Sequence, residues 1–564
     1  MASTSQLTLL SLDQIASGSQ DNQSNHGEVF TRRWVVEFIL DLVGYRSGDD
    51  LASKVIVEPA CGAGAFLIPV VERLLDSCRL HGQEITRLTG AIRAYDLLES
   101  NVELARKAVV QLLADEGFSV EASECVAETW VNRADFLLTD HESESADFVV
   151  GNPPYIRLEE VPRHLTDAYR RACPTMRGRS DIYVGFFEVG MRILRPDGRL
   201  GFICADRWMH NDYGSALRDL VTSEYAIESI VSMHDVDAFE DEVSAYPAVV
   251  IIRNGSQEAV RVINATTGFE ADESRAVTRW IETPDPNLVL GNAEGTRIDK
   301  WFMGTDLWPS GNNARKQLVA DLEHRFSPLQ NPETGTRVGI GVATGCDQVY
   351  VITDTDLVER ERLLPLALAR DTASGAVTWS GQFLVNPWSQ DGLVDLIGYP
   401  KLRAYLEKHE ERLRNRHVAK RRPELWYRTI DRVDPMLRTR PKLLLPDIKA
   451  RSNPVLDSGD LYPHHNLYFV ISEQWDLEVL GGLLLSDLAN ALIGAYCVKM
   501  RGGTYRFQAQ YIRKMRVPDP STIDGPAQQG LVAAFRSRDV DAATALACSV
   551  YEVDPLLVTE ALRS

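Results

Sequence analysis

The tetrapeptide Asn152-Pro153-Pro154-Tyr155 has residue types and a spacing that could activate an amino nitrogen. It directly follows the apolar run DFVVG, which predicts a strand that ends at this point. The two prolines fix φ and lack backbone donors, so they form a rigid turn whose carbonyls point outward. The side-chain oxygen of Asn152 and the carbonyl of Pro153 could then accept both hydrogens of a planar amino group and raise the nucleophilicity of its nitrogen.

Tyr155 adds an aromatic ring that could stack on the base carrying such an amino group. A base inside a duplex cannot present its amino group to an active site, so it would have to be rotated out into the pocket. The alternative is a proline-rich turn with a surface tyrosine. The position of the turn at the end of a strand favours the chemical interpretation, because ligands of α/β sheets bind there.

Residues 55–67, VIVEPACGAGAFL, predict a strand, a turn of small residues and the start of a helix. Gly62 and Gly64 allow positive φ and let a ligand approach the backbone. No Lys-Ser/Thr follows them, and the third glycine of the dinucleotide fingerprint is missing, which disfavours a phosphate loop. Glu58 at the strand end suits a cationic ligand, such as the amino group of a methionine moiety. A turn with a purely structural role is the alternative.

Two further acidic positions follow predicted strands. Asp96 ends the run AIRAYD, where a carboxylate could accept both hydroxyls of a ribose, and a helix N-cap is the alternative role. Asp135 and Phe136 follow the next apolar stretch and could supply an acceptor for an adenine amino group and a ring to cover its face. A core position is the alternative for Phe136.

The elements around these residues must position them. Between about residues 27 and 260, short apolar runs alternate with stretches whose apolar residues recur every three or four positions. This alternation predicts an α/β domain with a mostly parallel sheet and helices on both faces. Ligands would bind at the carboxyl ends of its strands.

The chain of 564 residues is too long for one hydrophobic core, so at least two domains are expected. Residues 1–26 predict a flexible leader, and 261–335 predict a connecting region because TPDPN, LWPSGNN and SPLQNPETG interrupt it. Residues 336–520 predict a second domain of mixed α+β structure, and 521–564 predict a C-terminal helical tail.

The net charge of −20 argues against a polyanionic partner, yet the charge is unevenly distributed. Residues 401–451 hold 16 Lys and Arg against 7 Asp and Glu, a local balance of about +9. A second basic run, KMRGGTYRFQAQYIRKMR, covers residues 499–516 and interleaves aromatic residues with cations. Both basic segments lie in the second half of the chain.

The eight cysteines show no CxxC pair and no Cys/His cluster with metal-ligand spacing, so we expect no bound metal and a reducing compartment. The N-terminus has no basic segment ahead of its short apolar run, and no stretch approaches the roughly 20 apolar residues of a membrane span. The sequence therefore predicts a cytoplasmic protein without a membrane partner.

These motifs, in this order, resemble the gamma class of adenine-N6 DNA methyltransferases of restriction-modification systems, the TaqI type. In that class a cofactor motif precedes the NPPY motif and a target-recognition domain follows both, as in this chain. The similarity covers about residues 27–255 and, more loosely, 335–520. It implies a Rossmann-like, S-adenosylmethionine-dependent methyltransferase domain followed by a target-recognition domain. Asn152, where cytosine-N4 enzymes commonly carry Ser, favours adenine.

The resemblance also implies a role for each motif. Thr31, at the end of the segment GEVFT, would touch the methionine part of the cofactor, although the family usually has Pro where this chain has Arg32. The other cofactor contacts would come from the methionine loop, the ribose site and the adenine site: Glu58, Ala60, Gly62, Gly64, Asp96, Asp135 and Phe136. Phe239 would cover the flipped base opposite Tyr155, with Tyr246 as a competing candidate.

In the second half, residues 341–347, 401–426 and 502–506 resemble the recognition domains of this class. A dense set of basic residues there suits contacts with DNA phosphates. Its members are Arg412, Arg414, Arg416, Lys420, Arg421, Arg422 and Arg506. The alternative is a solvated helix face on which cations pair with Glu407, Glu410 and Glu411.

The predicted function is methyl transfer from S-adenosylmethionine to adenine N6 in a specific duplex sequence, with no metal and no covalent enzyme intermediate. Duplex DNA is the expected partner, and a cognate restriction endonuclease or other defence-system subunits would be further partners. One rival function is methylation of a protein glutamine or an RNA amino nitrogen. The others are a restriction enzyme with its own nuclease and a non-catalytic DNA-binding subunit.

Overall fold

The computed structural model describes residues 30–240, 246–499, 505–506 and 509–563. The chain divides into two compact units, Met1–Trp308 and Pro309–Ser564. This boundary falls inside the segment 261–335, for which the sequence predicts a connecting region. The first part of that segment instead adds strands to the sheet of the first unit, because its strands bury apolar residues in that unit.

One sheet of ten strands runs through the described part of the first unit. In chain order the strands are β1 (Ile56–Glu58), β2 (Ile92–Asp96), β3 (Val131–Arg133), β4 (Ala146–Gly151), β5 (Leu194–Ala205), β6 (Ala226–Ser232), β7 (Pro247–Arg253), β8 (Val260–Ala265), β9 (Asn287–Val289) and β10 (Ala293–Ile298). Their order across the sheet is β3-β2-β1-β4-β5-β7-β6-β8-β10-β9. The pairings from β3 to β5 are all parallel, whereas β7 runs antiparallel to both neighbours. This is the mostly parallel, Rossmann-like α/β fold that the sequence predicts.

Helices alternate with these strands along the chain. They are α1 (Arg33–Val43), α2 (Leu67–His81), α3 (Glu99–Asp115), α4 (Val120–Trp130), α5 (Arg163–Ala172), α6 (Tyr183–Arg192), α7 (Arg207–His210), α8 (Ser215–Glu224) and α9 (Ala271–Ile281). Helix α1 buries an apolar face and ends at Gly44, whose φ of 83° is the left-handed conformation of a C-cap. It packs closely on β5, where a Cβ on Gly201 would come within 2.5 Å of Val43. This packing holds the C-terminal half of α1 against the sheet, and Thr31 precedes the first residue of the helix by two positions.

The order of the strands reverses between β1 and β4. From β1 the chain proceeds to β2 and β3 on one side, whereas β4 and β5 lie on the other side. Ile56 of β1 is opposite both Ile92 of β2 and Phe148 of β4, so the carboxyl ends of these strands lie at the same edge. Such a reversal opens a crevice outside the strand ends, which is where α/β sheets bind ligands.

The described part of the second unit mixes helices and short strands, as the sequence predicts. Its helices are α10 (Asn313–Arg325), α11 (Asp347–Tyr350), α12 (Pro400–Lys408), α13 (Glu410–Arg414), α14 (His417–Arg421), α15 (Met436–Thr439), α16 (Leu477–Leu485), α17 (Asp487–Tyr496), α18 (Ala509–Lys514), α19 (Gly525–Ser537), α20 (Val540–Tyr551) and α21 (Pro555–Leu562). Its strands are β11 (Ser327–Pro328), β12 (Arg337–Ile340), β13 (Val351–Ile352), β14 (Leu363–Ala367), β15 (Phe383–Val385), β16 (Trp388–Ser389), β17 (Gly392–Leu393), β18 (Lys442–Pro446), β19 (Ile448–Lys449), β20 (Val455–Asp457), β21 (Tyr462–Pro463), β22 (Leu467–Ile471), β23 (Val498–Lys499), β24 (Tyr505–Arg506) and β25 (Arg516–Val517). Two four-stranded sheets have the orders β12-β22-β18-β20 and β13-β15-β14-β21.

The last three helices are integrated into the second unit, although the sequence predicts a tail over 521–564. Helix α16 carries Gly482 where a Cβ would approach the carbonyl oxygen of Leu531 in α19 to 2.6 Å. Leu485 of α16, Ala534 of α19 and Ala543 of α20 form a small buried cluster. The apolar faces of these helices therefore complete a core and do not extend from it.

Within the described residues, no single helix combines the length and the apolar composition of a membrane span. Two pairs of helices meet that test only when they are joined across a sharp bend. The bend is 72° between α16 and α17 and 119° between α20 and α21.

Arg218 on α8 fixes the segment that follows β5. Its side chain is 1% exposed and donates to the carbonyl oxygens of Asp306, Asn211 and Thr305 at 2.8, 2.9 and 2.9 Å. It also donates to the carbonyl oxygen of Trp208. Burial lowers the pKa of Arg218 to about 10, so the guanidinium stays charged at neutral pH.

Replacing Arg218 with Met should lower the free energy of unfolding by about 3 kcal/mol, because four carbonyl oxygens lose a charged donor. Urea unfolding followed by tryptophan fluorescence measures the change. Arg275→Met is the matched control, since this arginine is exposed on α9 and pairs with Asp272. The control should cost less than about 1 kcal/mol. Equal stability of the two variants would contradict the role given to Arg218.

Candidate active site

A cleft opens at the carboxyl ends of β1 to β4 and encloses about 1080 Å³, part of it open to solvent. Most residues that the sequence singles out line it: Thr31, Glu58, Ala60, Gly62, Asp96, Asp135, Phe136, Asn152 and Pro154. Gly64 and Pro153 lie behind this surface, in the turns that shape it. The structure therefore brings together five sequence motifs that are separated by up to 121 positions.

The turn after β1 is held by the end of β2. Gly62 and Gly64 have φ of 50° and 103°, in the region that favours glycine. The backbone N–H of Gly62 donates to Asp96 Oδ2 at 2.9 Å, and that of Cys61 donates to the carbonyl of Tyr95 at 2.8 Å. A Cβ on Gly62 would meet no other atom within 4 Å, so this part of the turn faces open space. A ligand can therefore approach the backbone there.

The carboxyl group of Glu58 is buried, and among the described residues no cation forms an ion pair with it. The residue is 3% exposed, and its Oε2 has no hydrogen-bond partner among the described residues. Burial, and then the charge of Asp96, raise the pKa of Glu58 well above that of an ordinary carboxyl. A cationic group bound here would restore the charged form. This observation fits the ammonium group that a methionine-bearing cofactor carries.

Asp96 lies close to the start of α3 as well as in the cleft, although the N-cap of that helix is Leu98. Its Oδ1 accepts hydrogen bonds from the backbone of Leu98 at 2.9 Å and from Asn101 Nδ2 at 3.3 Å, so it organises the start of α3. It also holds Gly62 and lines the cleft beside it. Ribose binding by Asp96 stays a prediction.

Asp135 and Phe136 form the far wall of the cleft. Asp135 accepts a hydrogen bond from the Tyr169 hydroxyl at 2.8 Å, and burial raises its pKa. The ring of Phe136 stacks on Phe186 with centroids 5.7 Å apart and planes 16° apart. A flat, apolar wall with one carboxylate suits a purine ring.

Tyr169 and Phe186 are cleft residues that the sequence motifs did not reveal. They lie on helices α5 and α6, outside any strand-end motif. Helix α5 is polar, and its buried residues Leu165 and Tyr169 are four positions apart on one face. This spacing can be read from the sequence, but it indicates only that one face of the helix packs inward and not that the face lines a cleft.

The tetrapeptide Asn152–Tyr155 follows β4 directly. Asn152 Nδ2 donates to Thr31 Oγ1 at 3.2 Å, which orients the amide plane. Pro153 is buried, and Pro154 lines the cleft beside Asn152. The predicted contact residue Thr31 thus also positions Asn152.

Two aromatic rings stand beside Tyr155. The centroid of Phe239 lies 6.5 Å away at 77°, and that of Tyr183 lies 6.4 Å away at 90°. Phe239 is 5% exposed, whereas the competing candidate Tyr246 is 59% exposed and contacts the ring of His234 at 5.0 Å. Of the two candidates, Phe239 is therefore the one next to Tyr155. Burial raises the pKa of Tyr155, so its phenol is neutral.

Arg32 connects the segment of Thr31 to that of Phe239. Its backbone N–H donates to Ala238 at 3.0 Å, and its Nε donates to the carbonyl of Phe239 at 3.0 Å. An ion pair with Asp237 at 2.6 Å adds to these contacts. A proline would fit the φ of −60° at this position but would lack the donated N–H. The first residues of the segment, 27–29, lie outside the described part of the chain.

The basic residues of the second unit divide into two groups. Arg416 is half-buried and donates to the carbonyls of Thr344, Trp426 and Arg428 at 3.1, 2.7 and 2.8 Å. Arg412 donates to Gln348, and Arg414 pairs with Glu410. These contacts favour the structural interpretation for Arg412, Arg414 and Arg416.

Lys420, Arg421 and Arg422 are exposed at the end of α14 and stay candidates for phosphate contacts. Residues 502–504 and the side chain of Arg506 lie outside the described part. Asp347, His464 and His465 place three ligand-type atoms within 4.8 Å of one another, a grouping that no sequence spacing indicated.

Comparison with known proteins gives consistent matches. The family profile described as Eco57I restriction-modification methylase matches residues 83–239. The chain is 41% identical over 534 residues to the type II methyltransferase M.XhoI of Xanthomonas vasicola, covering 93% of this chain and 97% of that protein. It is 42% identical over 521 residues to the type II methyltransferase M.PaeR7I of Pseudomonas aeruginosa, covering 92% and 90%. It is 36% identical over 525 residues to the type II methyltransferase M.BstVI of Geobacillus stearothermophilus, covering 91% and 94%.

The buried Glu58 predicts that binding of S-adenosylmethionine strengthens as pH rises. Burial favours the protonated carboxyl, whereas a bound ammonium favours the carboxylate, so binding releases a proton. The affinity for the cofactor should increase as pH rises toward the elevated pKa of Glu58. Calorimetry in buffers of different ionisation enthalpy measures the affinity and the proton release.

Glu58→Gln should bind the cofactor roughly tenfold to a hundredfold more weakly, with no proton release from this position. Glu103→Gln is the matched control, because Glu103 is exposed on α3 and does not line the cleft. If the Glu58→Gln variant kept the pH dependence of the unmodified protein, the carboxylate would not be the group that contacts the ammonium.

Proposed function

Because the chain belongs to the type II methyltransferases of restriction-modification systems, we propose that it methylates the N6 amino group of adenine in a specific sequence of duplex DNA. Members of this family are DNA methyltransferases. The proposal adds that the methylated base is adenine, that the methylated atom is N6, and which residues act. The observation that carries it is the Asn152 amide, held by Thr31 at 3.2 Å beside the cleft at the carboxyl end of β4.

The residues of the cleft fit S-adenosylmethionine. When bound, this cofactor supplies a methyl group activated by a positively charged sulfur. Glu58 would bind its ammonium, and the open turn at Gly62 would admit its methionine part to the backbone. Asp96 would accept from its ribose. Asp135 and the wall of Phe136 would hold its adenine ring.

Asn152 acts on the substrate base. Its side-chain oxygen and the Pro153 carbonyl accept the two hydrogens of the adenine amino group. This draws the nitrogen toward tetrahedral geometry and localises its lone pair, which otherwise delocalises into the ring. S-adenosylmethionine, when bound, would supply the methyl group to this nitrogen, and one amino hydrogen would leave to water as a proton. The hydrogen bond from Asn152 to Thr31 keeps the accepting oxygen in place.

Tyr155 and Phe239 would receive the base after its rotation out of the duplex. Their rings are nearly perpendicular, at 77°, so a base stacked on Tyr155 would meet Phe239 at an edge. The Arg32 contacts anchor Phe239 from behind. In the second unit, exposed Lys420, Arg421 and Arg422 would contribute phosphate contacts.

Asn152→Ala should reduce turnover at least about a thousandfold while cofactor affinity stays unchanged, because only the amino-group acceptor is lost. Modified-base sequencing of DNA from cells that express the unmodified protein should reveal N6-methyladenine at one sequence. Cells that express Asn152→Ala should lack it.

Asn152→Asp serves as the matched variant, since it retains an acceptor oxygen and should keep measurable turnover. Adenine methylation by Asn152→Ala at a near-normal rate would rule out this mechanism. Methylation confined to protein or RNA in the same cells would support the rival function.

A second prediction separates the two aromatic candidates. Phe239→Ala should impair base rotation, because the buried ring beside Tyr155 is lost, whereas Tyr246→Ala should have little effect. A duplex with 2-aminopurine at the target position reports rotation as a rise in fluorescence. A larger loss in Tyr246→Ala than in Phe239→Ala would reverse the assignment.

A further inference from the structure

A second cleft lies behind one wall of the active-site cleft. Residues 156–158 and 180–182 pair as a short antiparallel ribbon, with hydrogen bonds from Ile182 to Ile156 at 2.8 Å and from Leu158 to Ser180 at 3.0 Å. Arg157 and Asp181 are opposite each other in this ribbon. Successive side chains of extended residues point to opposite faces.

The lining residues of the two clefts follow this alternation. Ile156 and Ile182 line the active-site cleft, whereas their neighbours Arg157 and Asp181 line the second cleft. Arg157 is two residues from Tyr155, so the extended chain separates their Cα atoms by at most about 7 Å. The second cleft is therefore adjacent to the position where the target base would enter.

Four arginines from three chain segments line this second cleft, which encloses about 1230 Å³ and is largely open. We call it the arginine cleft, after Arg157, Arg177, Arg179 and Arg207. Arg179 pairs with Glu159 at 2.9 Å. Within the described part of the chain, the other three make no ion pair.

The protein as a whole is acidic, with 80 acidic against 60 basic residues. Residues 157–179 depart from that balance with six Arg against three Asp and Glu. Of the remaining acids of the cleft, Asp181 accepts a hydrogen bond from Tyr213 at 3.2 Å, and Asp212 is the other. The four arginines face three acids in the cleft, Glu159, Asp181 and Asp212, so the lining keeps a net charge of about +1 to which an anion can bind.

We propose that the arginine cleft binds the backbone phosphates that flank the rotated nucleotide on the strand carrying the target base. The inference rests on the proposed function, since it takes DNA as the substrate. Rotation moves the base but leaves its two phosphates at the mouth of the pocket. A guanidinium group can donate two parallel hydrogen bonds to the oxygens of one phosphate. These bonds fix the position of the phosphate as well as neutralising its charge.

The surroundings of the cleft hold the arginines in place. Arg157 lies in the ribbon, and Arg207 begins α7, whose carbonyl at Trp208 is bound by Arg218. The hydroxyl of Tyr213 contacts that of Tyr183 at 2.7 Å, which ties the loop after α7 to α6. A rigid pair of cations beside the base pocket can fix the register of the strand before the base rotates.

The first test is the salt dependence of binding to a duplex that carries the mapped target sequence. Arg157→Gln combined with Arg207→Gln should lower the slope of log affinity against log salt by about 1.8, or about 0.9 for each phosphate contact. Affinity near physiological salt should fall roughly tenfold to a hundredfold for each arginine, while cofactor affinity stays unchanged. Arg163→Gln is the matched control, since it is exposed in the same segment but outside the cleft.

The second test places a neutral methylphosphonate on either side of the target base. The modification should weaken binding by the unmodified protein and have little further effect on the double variant, because the two changes remove one interaction. Arg163→Gln should retain the full effect. Additive effects, or an unchanged salt slope in the double variant, would overturn the proposal.

The two tests also separate this inference from the proposed function. If the unmodified protein leaves adenine unmethylated, the proposed function fails, yet the salt slope measured on a random-sequence duplex still decides whether the arginines bind phosphate. If it methylates adenine and both tests are negative, the arginine cleft alone is refuted.

Discussion

The parallel pairing of β1 with both β2 and β4 is the constraint on which the site depends. Parallel strands end at the same edge, so the residues that follow them must meet there whatever their separation in sequence. Glu58, Asp96 and Asn152 each end or follow one of these strands. Their chemistry differs, but the sheet gives them one location.

Hydrogen bonds between the turns then fix the orientation of these side chains relative to one another. Asp96 holds the turn at Gly62, and Thr31 orients Asn152. Arg32 donates a hydrogen bond to the carbonyl of Phe239, which lies more than 200 positions later in the chain. Each contact joins two motifs, so the proposed cofactor side and the proposed base side of the cleft are fixed relative to each other. Such preorganisation is what an activated amino nitrogen requires, because it must meet the methyl carbon in line.

The strand-end residues could be predicted from sequence because their signal is local. An apolar run followed by a polar or small-residue turn identifies Glu58, Asp96 and Asn152 without knowledge of the rest of the chain. Tyr169, Phe186 and the arginine cleft had no such signal, since they depend on how separate helices and loops pack. Their positions follow from tertiary structure alone.

Counting charges along the sequence likewise did not reveal which basic residues of the second unit are bound within the protein. The excess of arginines over 401–451 predicted a phosphate-binding surface, but Arg416 binds three backbone carbonyls of its own unit. A guanidinium satisfies buried carbonyls as readily as it binds phosphate, and sequence does not distinguish the two. The predicted connecting region contains the boundary between the two units, which falls in the break LWPSGNN, but its first part extends the central sheet. Breaks in the pattern thus marked both a unit boundary and turns between strands, and sequence does not distinguish the two.

The central claim is that the Asn152 amide and the adjoining cleft direct a methyl group to adenine N6. Mass spectrometry of nucleosides from duplex DNA, after incubation with the purified protein and cofactor carrying an isotopically labelled methyl group, tests it most directly. The account predicts label in N6-methyladenine. Label in N4-methylcytosine or 5-methylcytosine, or no label in the DNA, would contradict it.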